Sequence, residues 1–398
     1  MPQTKHTMSL ISYIVWAANP DLLDVDTNSF LGFMSLDFTI RWYGLLFASG
    51  FLISQQILFR IFRAEGHKEA DVETLTVYMV IATILGARLG HVFFYEPARY
   101  LANPIDILKI WEGGLASHGA AFGILFALFL YSNYDIKYNF GSFKGTFRKH
   151  PRAGQSFLWV VDRIVIVVAL TGALIRMGNF INSEIEGLPT ESDYGVVFAW
   201  NAKNAILSSS QAVESVETTD AERSLPDNLS QEYRPVDFEV RFKDAGYQEE
   251  QIRSFLEVKV KSLFTNYESI RKHIYDPAGT TLDYTLEQDR GAFVATIHTF
   301  GIPRHPAQLY ESGTTFLIFI LLLLIWFKLR HRTPEGLLLG LFLVILFGLR
   351  FVHEFFKENQ VNFEDDLPLN MGQWLSIPLI LAGIYLLIKV SRKTKKAA

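Results

Sequence analysis

The chain has 398 residues, 49% of them apolar and 20% charged, with a formal net charge of −4 and no cysteine. The near-neutral balance offers no footing for nucleic acid. The lack of cysteine excludes disulfides and thiol catalysis by this chain, and leaves any zinc only histidine and carboxylate ligands.

In chain order, the first apolar patch is MSLISYIVWAANP at residues 8–20. It lacks the basic leader and small-residue exit of a secretory signal. It reads as a segment lying along a membrane interface. Longer apolar windows follow at roughly 38–60, 74–95, 117–133, 158–180, 309–328, 336–356 and 373–391. About 19 apolar residues suffice to cross a bilayer core of about 30 Å. The expected fold is therefore an all-α polytopic membrane protein of about seven transmembrane helices, the third being the shortest.

Between the fourth and fifth windows lies a long polar stretch. Residues 208–233, SSSQAVESVETTDAERSLPDNLSQEY, read as a loosely ordered loop. Residues 237–264 read as an alternating strand and then an amphipathic helix. This predicts three parts: a membrane part at 1–181, a small mixed α/β head inserted at 182–303, and a second membrane part at 304–398.

Lys and Arg concentrate after the first, third, fifth and seventh windows: Arg60, Arg63 and Lys68; Lys137 to Arg152; Lys328 to Arg332; and Lys389 to Lys396. The alternate connections are richer in acid, at Glu96, Asp106 and Glu112 and again at Glu358 and Glu364 to Asp366. The positive-inside rule then puts the N-terminus and head outside and the C-terminus in the cytoplasm.

On that topology polar side chains from several helices gather at one level. Arg41 and Tyr43 lie at the outer end of the first span, and Arg88 and His91 at that of the second. His118 and Gly119 open the third, while Arg176, Asn179, Asn182 and Glu184 close the fourth. Arg304, His305, Gln308, Tyr310 and Glu311 open the fifth; Arg350 and Glu354 close the sixth; Gln373 opens the seventh. Asp162 and Arg163 stand apart, near the cytoplasmic start of the fourth. Any one of these residues reads as an interfacial anchor. Ionisable groups in several spans at one depth point instead to a bundle interior or a wet cavity. Arginine forks pair bidentately with phosphate or carboxylate, so the residues alone indicate a site for an anionic, lipid-like molecule. They name no reaction. A lipid transporter would also use such arginines, but it would more naturally show broken helices or internal repeats.

The same residues carry a resemblance. The stretches IRWYG (40–44), GARLGHVFFY (86–95), WEGGLASHGAAFG (111–123), RMGNFINSEIEG (176–187), PRHPAQLYE (303–311), LRFVHEFFKE (349–358) and MGQWLSIP (371–378) are similar, in order, to those of the prolipoprotein diacylglyceryl transferases. The resemblance covers most of the chain outside roughly 190–295. It implies transfer of the diacylglyceryl group of phosphatidylglycerol to the lipobox cysteine of a prolipoprotein in the bacterial inner membrane. The products would be a thioether and glycerol phosphate, with no metal and no cofactor. It implies that His118, Arg176, Glu184 and Arg350 do the chemistry, with Arg176 and Arg350 on the phosphate and His118 or Glu184 as base. Tyr43, Arg88, Gly119, Asn179, Asn182, Gly187, Arg304, Gln308, Glu311, Glu354 and Gln373 would build the substrate site. The chain departs from the family pattern at Ala120, Ile175, Ser183 and Glu186. Glycine is usual at the first three of these and tryptophan at the last. Every charged and amide position is kept.

Overall fold

A computed structural model describes residues 13–25, 38–110, 113–114, 116–139, 144–221, 223–226, 229, 232–277, 279–358 and 367–397. Residues 8–12 of the N-terminal apolar patch, Glu112, and the acidic run Glu364 to Asp366 lie outside them.

Seven apolar helices follow the expected windows. They are α1 (Trp42–Ala64), α2 (Glu69–Phe94), α3 (Ser117–Asn133), α4 (Phe157–Ile181), α5 (Ala307–Leu329), α6 (Leu337–His353) and α7 (Met371–Ala397). Six are long and apolar enough to cross a membrane; α3 is a shorter apolar helix. Large apolar side chains such as Leu52, Phe93, Phe126, Leu317 and Leu381 are exposed. That is the signature of helices solvated by lipid rather than by water.

The chain divides into two compact units. One takes its described residues from 47–174, 313–351 and 371–398 and holds most of the apolar helices. Its core runs along α4, where Val160, Ile164, Ile166 and Ala169 are buried with Leu58, Phe62, Leu128 and Leu322. Glycines set the closest helix contact. Gly86 and Gly90 of α2 face Gly119 and Gly123 of α3, and a Cβ on Gly90 would stand 2.7 Å from the Gly119 Cα. This is the small-residue packing that lets backbones approach where no water drives helices together.

Asp162 and Arg163, apart in the sequence reading, are fully buried here. Glu65 at the end of α1 receives Arg163 at 2.7 Å, Trp159 Nε1 at 3.0 Å and Trp326 Nε1 at 2.6 Å. Asp162 accepts the amides of Gly336 and Leu339 at 2.7 and 2.8 Å, capping the start of α6 from another helix. Each charge therefore has the partners that burial demands.

The other unit takes its described residues from 1–46, 175–312 and 352–370. Strand β1 (Ile14–Trp16), from the N-terminal apolar patch, pairs in parallel with β2 (Val196–Phe198). Strands β3 (Val213–Asp220), β4 (Arg234–Phe242), β5 (Ile274–Tyr275), β6 (Tyr284–Asp289) and β7 (Ala292–Gly301) form one sheet. Its order is β6-β7-β4-β3, with β5 also on β7. Val236, Phe238, Val240 and Phe242 alternate inward on β4, as the period of two requires. They pack on Ile252, Leu256 and Phe264 of the helical segment 249–266. Each such burial is worth about 1.5–3 kcal/mol. The expected strand and helix are thus present, the helix broken by a π turn at Phe255–Val260. The expected loop at 208–233 is corrected in part: Val213–Asp220 is an edge strand paired along β4. Its alternation escapes notice because only Val213 and Val216 point inward and a bulge interrupts it between Val213 and Ser215.

Candidate active site

Several of the expected site residues lie at and just after the end of α4. Arg176, Asn179 and Asn182 fall on successive turns, and the chain then bends through Ser183 and Ile185, both with positive φ, at 52° and 58°. Non-glycine residues rarely adopt this left-handed region, and a β-branched one such as Ile185 does so under strain. The bend is held by its neighbours. Gln308 donates to the Glu184 carbonyl at 2.8 Å, and the Gly187 amide donates to the His305 carbonyl at 3.0 Å. Gly187 leaves no room for a Cβ, which would stand 2.6 Å from the Phe356 carbonyl oxygen.

A chain of polar contacts runs through this region. Arg176 Nη1 donates to Asn179 Oδ1 at 3.3 Å, and Asn179 Nδ2 donates to Glu184 Oε1 at 2.9 Å. Asn182 Nδ2 adds a second donor to that same oxygen at 3.2 Å. On its other side Arg176 Nε meets Glu311 Oε2 at 2.6 Å. Glu311 Oε1 meets Lys357 Nζ at 2.5 Å, and Lys357 reaches Glu354 at 3.4 Å. Asn370 holds the second oxygen of Glu354 at 3.2 Å. From Arg176 through Glu311 and Lys357 to Glu354 cation and carboxylate alternate, while Glu184 is held by two amides. Gly178 admits Tyr43 beside it; a Cβ there would lie 2.9 Å from the tyrosine ring.

Lys357 was not among the sequence candidates. It is buried and bridges two of them. Its place three residues after Glu354 was the available signal, though the chain is extended at Lys357 itself.

Two arginines expected in the substrate site hold backbone carbonyls of this chain. Arg304 donates to the Lys272 carbonyl at 3.1 Å from both Nε and Nη2, and to the Gly187 carbonyl at 3.0 Å. Its fork ties the 184–187 bend to residue 272 of the head. Arg88 donates to the carbonyls of Asp106, Ile107, Lys109, Gly113 and Gly114. That fork organises the loop after α2. Buried carbonyls in irregular backbone require donors, and the guanidinium supplies several at once.

The remaining candidates lie in the helical unit. His118, half-buried, packs edge-on against Phe94 and tilted against Tyr95. Gly119 serves the contact between α2 and α3. Arg350 is half-buried near the end of α6, and Gln373 is buried with Nε2 on the Phe351 carbonyl at 3.3 Å. Among the described residues no cluster of His, Asp and Glu could hold a metal ion.

A family model described as prolipoprotein diacylglyceryl transferase matches residues 32–389. The chain belongs to that family. Proteins named phosphatidylglycerol–prolipoprotein diacylglyceryl transferase are similar to it over nearly their whole length. One from Tolumonas auensis is 33% identical over 96% of this chain and 99% of its own. One from Chloroherpeton thalassium is 33% identical over 96% of each chain, and one from Porphyromonas gingivalis 32% identical over 96% of each. As a member of the prolipoprotein diacylglyceryl transferases, the chain is a membrane-embedded transferase of lipoprotein biosynthesis. The family pattern also explains the bend. Position 183, where the family usually has glycine, has φ 52°, a conformation glycine adopts without strain.

Glu186, at the position of the family's usual tryptophan, has only 9% of its side chain exposed. Its Oε2 stands 3.4 Å from His273 Nδ1 and 3.9 Å from Arg304 Nε. Burial pushes its carboxyl up to about 7, with Arg304 acting in the opposite sense. Burial pushes the His273 imidazole down to about 3, helped by Arg304 and Lys272. Near neutral pH the histidine is uncharged, so the contact is not a salt bridge.

Proposed function

We propose that this transferase moves the diacylglyceryl group of phosphatidylglycerol onto the lipobox cysteine thiol of a prolipoprotein. The sulfur attacks the glyceryl carbon that bears the phosphate. A C–S bond forms, the C–O bond breaks, and its electron pair leaves with glycerol phosphate. The thiol proton passes to a base. The observation that carries this reading is the linked set Arg176–Asn179–Glu184, joined by contacts of 3.3 and 2.9 Å. It offers a cation for the charge that builds on the leaving phosphate and a carboxylate for the proton, with an amide fixing their separation.

In this reading Arg350 supplies a second cation for the phosphate. Asn182 holds Glu184, and Tyr43 and Gln308 shape the site. Glu311, Lys357 and Glu354 keep Arg176 extended. The base is His118 or Glu184; full activity in a folded His118→Gln enzyme would remove His118. All seven apolar helices cross the cytoplasmic membrane of a bacterium, α3 included, with the head outside and the basic C-terminus inside.

The test uses purified protein in nanodiscs with phosphatidylglycerol and a lipobox peptide, following glycerol phosphate release and peptide mass. The wild type should add a diacylglyceryl mass to the peptide. Arg176→Ala and Arg350→Ala, checked for folding, should not. Lipid binding without any mass gain in folded wild type would sink the proposal.

A further inference from the structure

The bend at 183–186 has a second side. A cleft of about 520 Å³ opens there, lined by residues of the bend and by Asn201, Glu268, Ser269, Lys272, His273 and Glu358. That volume lies within the range of sites that take small ligands or short peptide segments. The lining is polar. Asn201 lies on the head helix Trp200–Ser208, and Glu268, Ser269, Lys272 and His273 lie in and just after the short helix Glu268–Arg271. All these residues belong to the same compact unit as Arg176 and Glu184.

Two buried polar atoms in the lining lack hydrogen-bond partners: His273 Nδ1 and Ser183 Oγ. His273 is only 5% exposed, and Glu186 stands 3.4 Å away without satisfying it. Unsatisfied buried groups of this kind are uncommon, because each gives up its hydrogen bonds to water without replacement. A neutral imidazole nitrogen and a hydroxyl are suited to the N–H and C=O groups of an extended peptide.

We propose that this cleft binds the polar stretch of the acceptor polypeptide that follows the reactive cysteine, pairing peptide amides with His273 and Ser183. The inference rests on the function proposed above. Glu184 belongs both to the polar chain with Arg176 and to the cleft wall, so a polypeptide whose thiol reaches Glu184 has the cleft as its next stop. The stretch before the cysteine is the apolar one and has the membrane. The stretch after it needs a wet, hydrogen-bonding surface. Glu268 and Glu358 on the wall disfavour an anionic lipid headgroup and favour amide donors or a basic side chain, with Lys272 the only cation among the lining residues.

The test compares two lipobox peptides, one ending in an amide just after the cysteine and one continuing for several polar residues. Wild type is compared with Asn201→Trp and Ser269→Trp, exposed lining positions outside the proposed chemistry. Each variant should raise the KM of the extended peptide about tenfold, a loss of roughly 1.4 kcal/mol in binding. The extended peptide's kcat, the short peptide's KM and the phosphatidylglycerol KM should stay unchanged. A photoreactive group several residues after the cysteine should crosslink to the 268–273 segment or to the helix at 200–208. Equal effects on both peptides, no effect on either, or a change confined to the phosphatidylglycerol KM would overturn the proposal. Failure of wild type to modify either peptide would instead overturn the transferase reading beneath it.

Discussion

Glu186 gives a stability prediction whose sign runs opposite to that of most carboxylates. Its folded carboxyl titrates near 7 against an ordinary 4.5, because burial disfavours the charge. Between those values the folded protein holds a proton that the unfolded chain has released. Stability must therefore fall as pH rises through that window, and the full cost is present above about pH 7. At about 1.36 kcal/mol per pH unit the cost comes to roughly 3 kcal/mol, about 2.5 of it appearing between pH 5 and pH 8. Glu186→Gln keeps the shape and cannot ionise. Chemical denaturation in detergent micelles, on wild type and variant at several pH values, should show the variant gaining steadily on wild type as pH rises. His273 and the remaining groups are common to both proteins and largely cancel. A difference that stays constant from pH 5 to pH 8 would mean that Glu186 is ionised in the fold, with Arg304 outweighing burial.

Four further outcomes follow from contacts described above. Glu65→Ala should cost about 3–5 kcal/mol by leaving Arg163 buried with only the more distant Asp162 carboxylate, whereas replacing both Glu65 and Arg163 with methionine should cost far less; denaturant midpoints separate the two. Gly90→Ala pushes a methyl to 2.7 Å from the Gly119 Cα and should destabilise by about 1–3 kcal/mol, visible as a lowered Tm. Arg176→Lys keeps the charge and loses the fork; kcat/KM with phosphatidylglycerol should drop about a hundredfold, at the upper end of the 1.5–3 kcal/mol of a charge-assisted bond. Ser183→Gly relieves a left-handed residue and should be neutral or stabilise by about 1 kcal/mol, read as an unchanged or raised Tm.

The helices were legible because membrane-spanning segments announce themselves as long apolar runs, and all seven windows hold helices. The strand at 234–242 was legible for the same kind of reason, a clean alternation of Val236, Phe238, Val240 and Phe242. The strand at 213–220 was not, since an edge strand with polar residues on most positions looks like a loop until its partner is known. For the candidate site, residue types gave the chemistry but not the allocation of each side chain. Arg88, Arg304 and Arg176 are alike in sequence. Only the fold shows that the first two hold backbone carbonyls while the third faces Asn179 and Glu311. Lys357 was hidden because its partner Glu311 is on a different helix. His273 and Glu186 were hidden because nothing in one sequence links residue 273 to residue 186.

The Glu65 knot also sets a timetable for assembly. Glu65 is synthesised early, its arginine partner comes 98 residues later, and Trp326 arrives 261 residues after Glu65. Asp162 in turn waits 174 residues for the Gly336 amide it caps. Until the fifth and sixth helices have left the ribosome, Glu65 and Arg163 have each other but lack the Trp326 bond, and Asp162 lacks the amides it caps. The knot closes only on a nearly finished chain. A product truncated before the sixth helix would leave Asp162 without the two amides it caps.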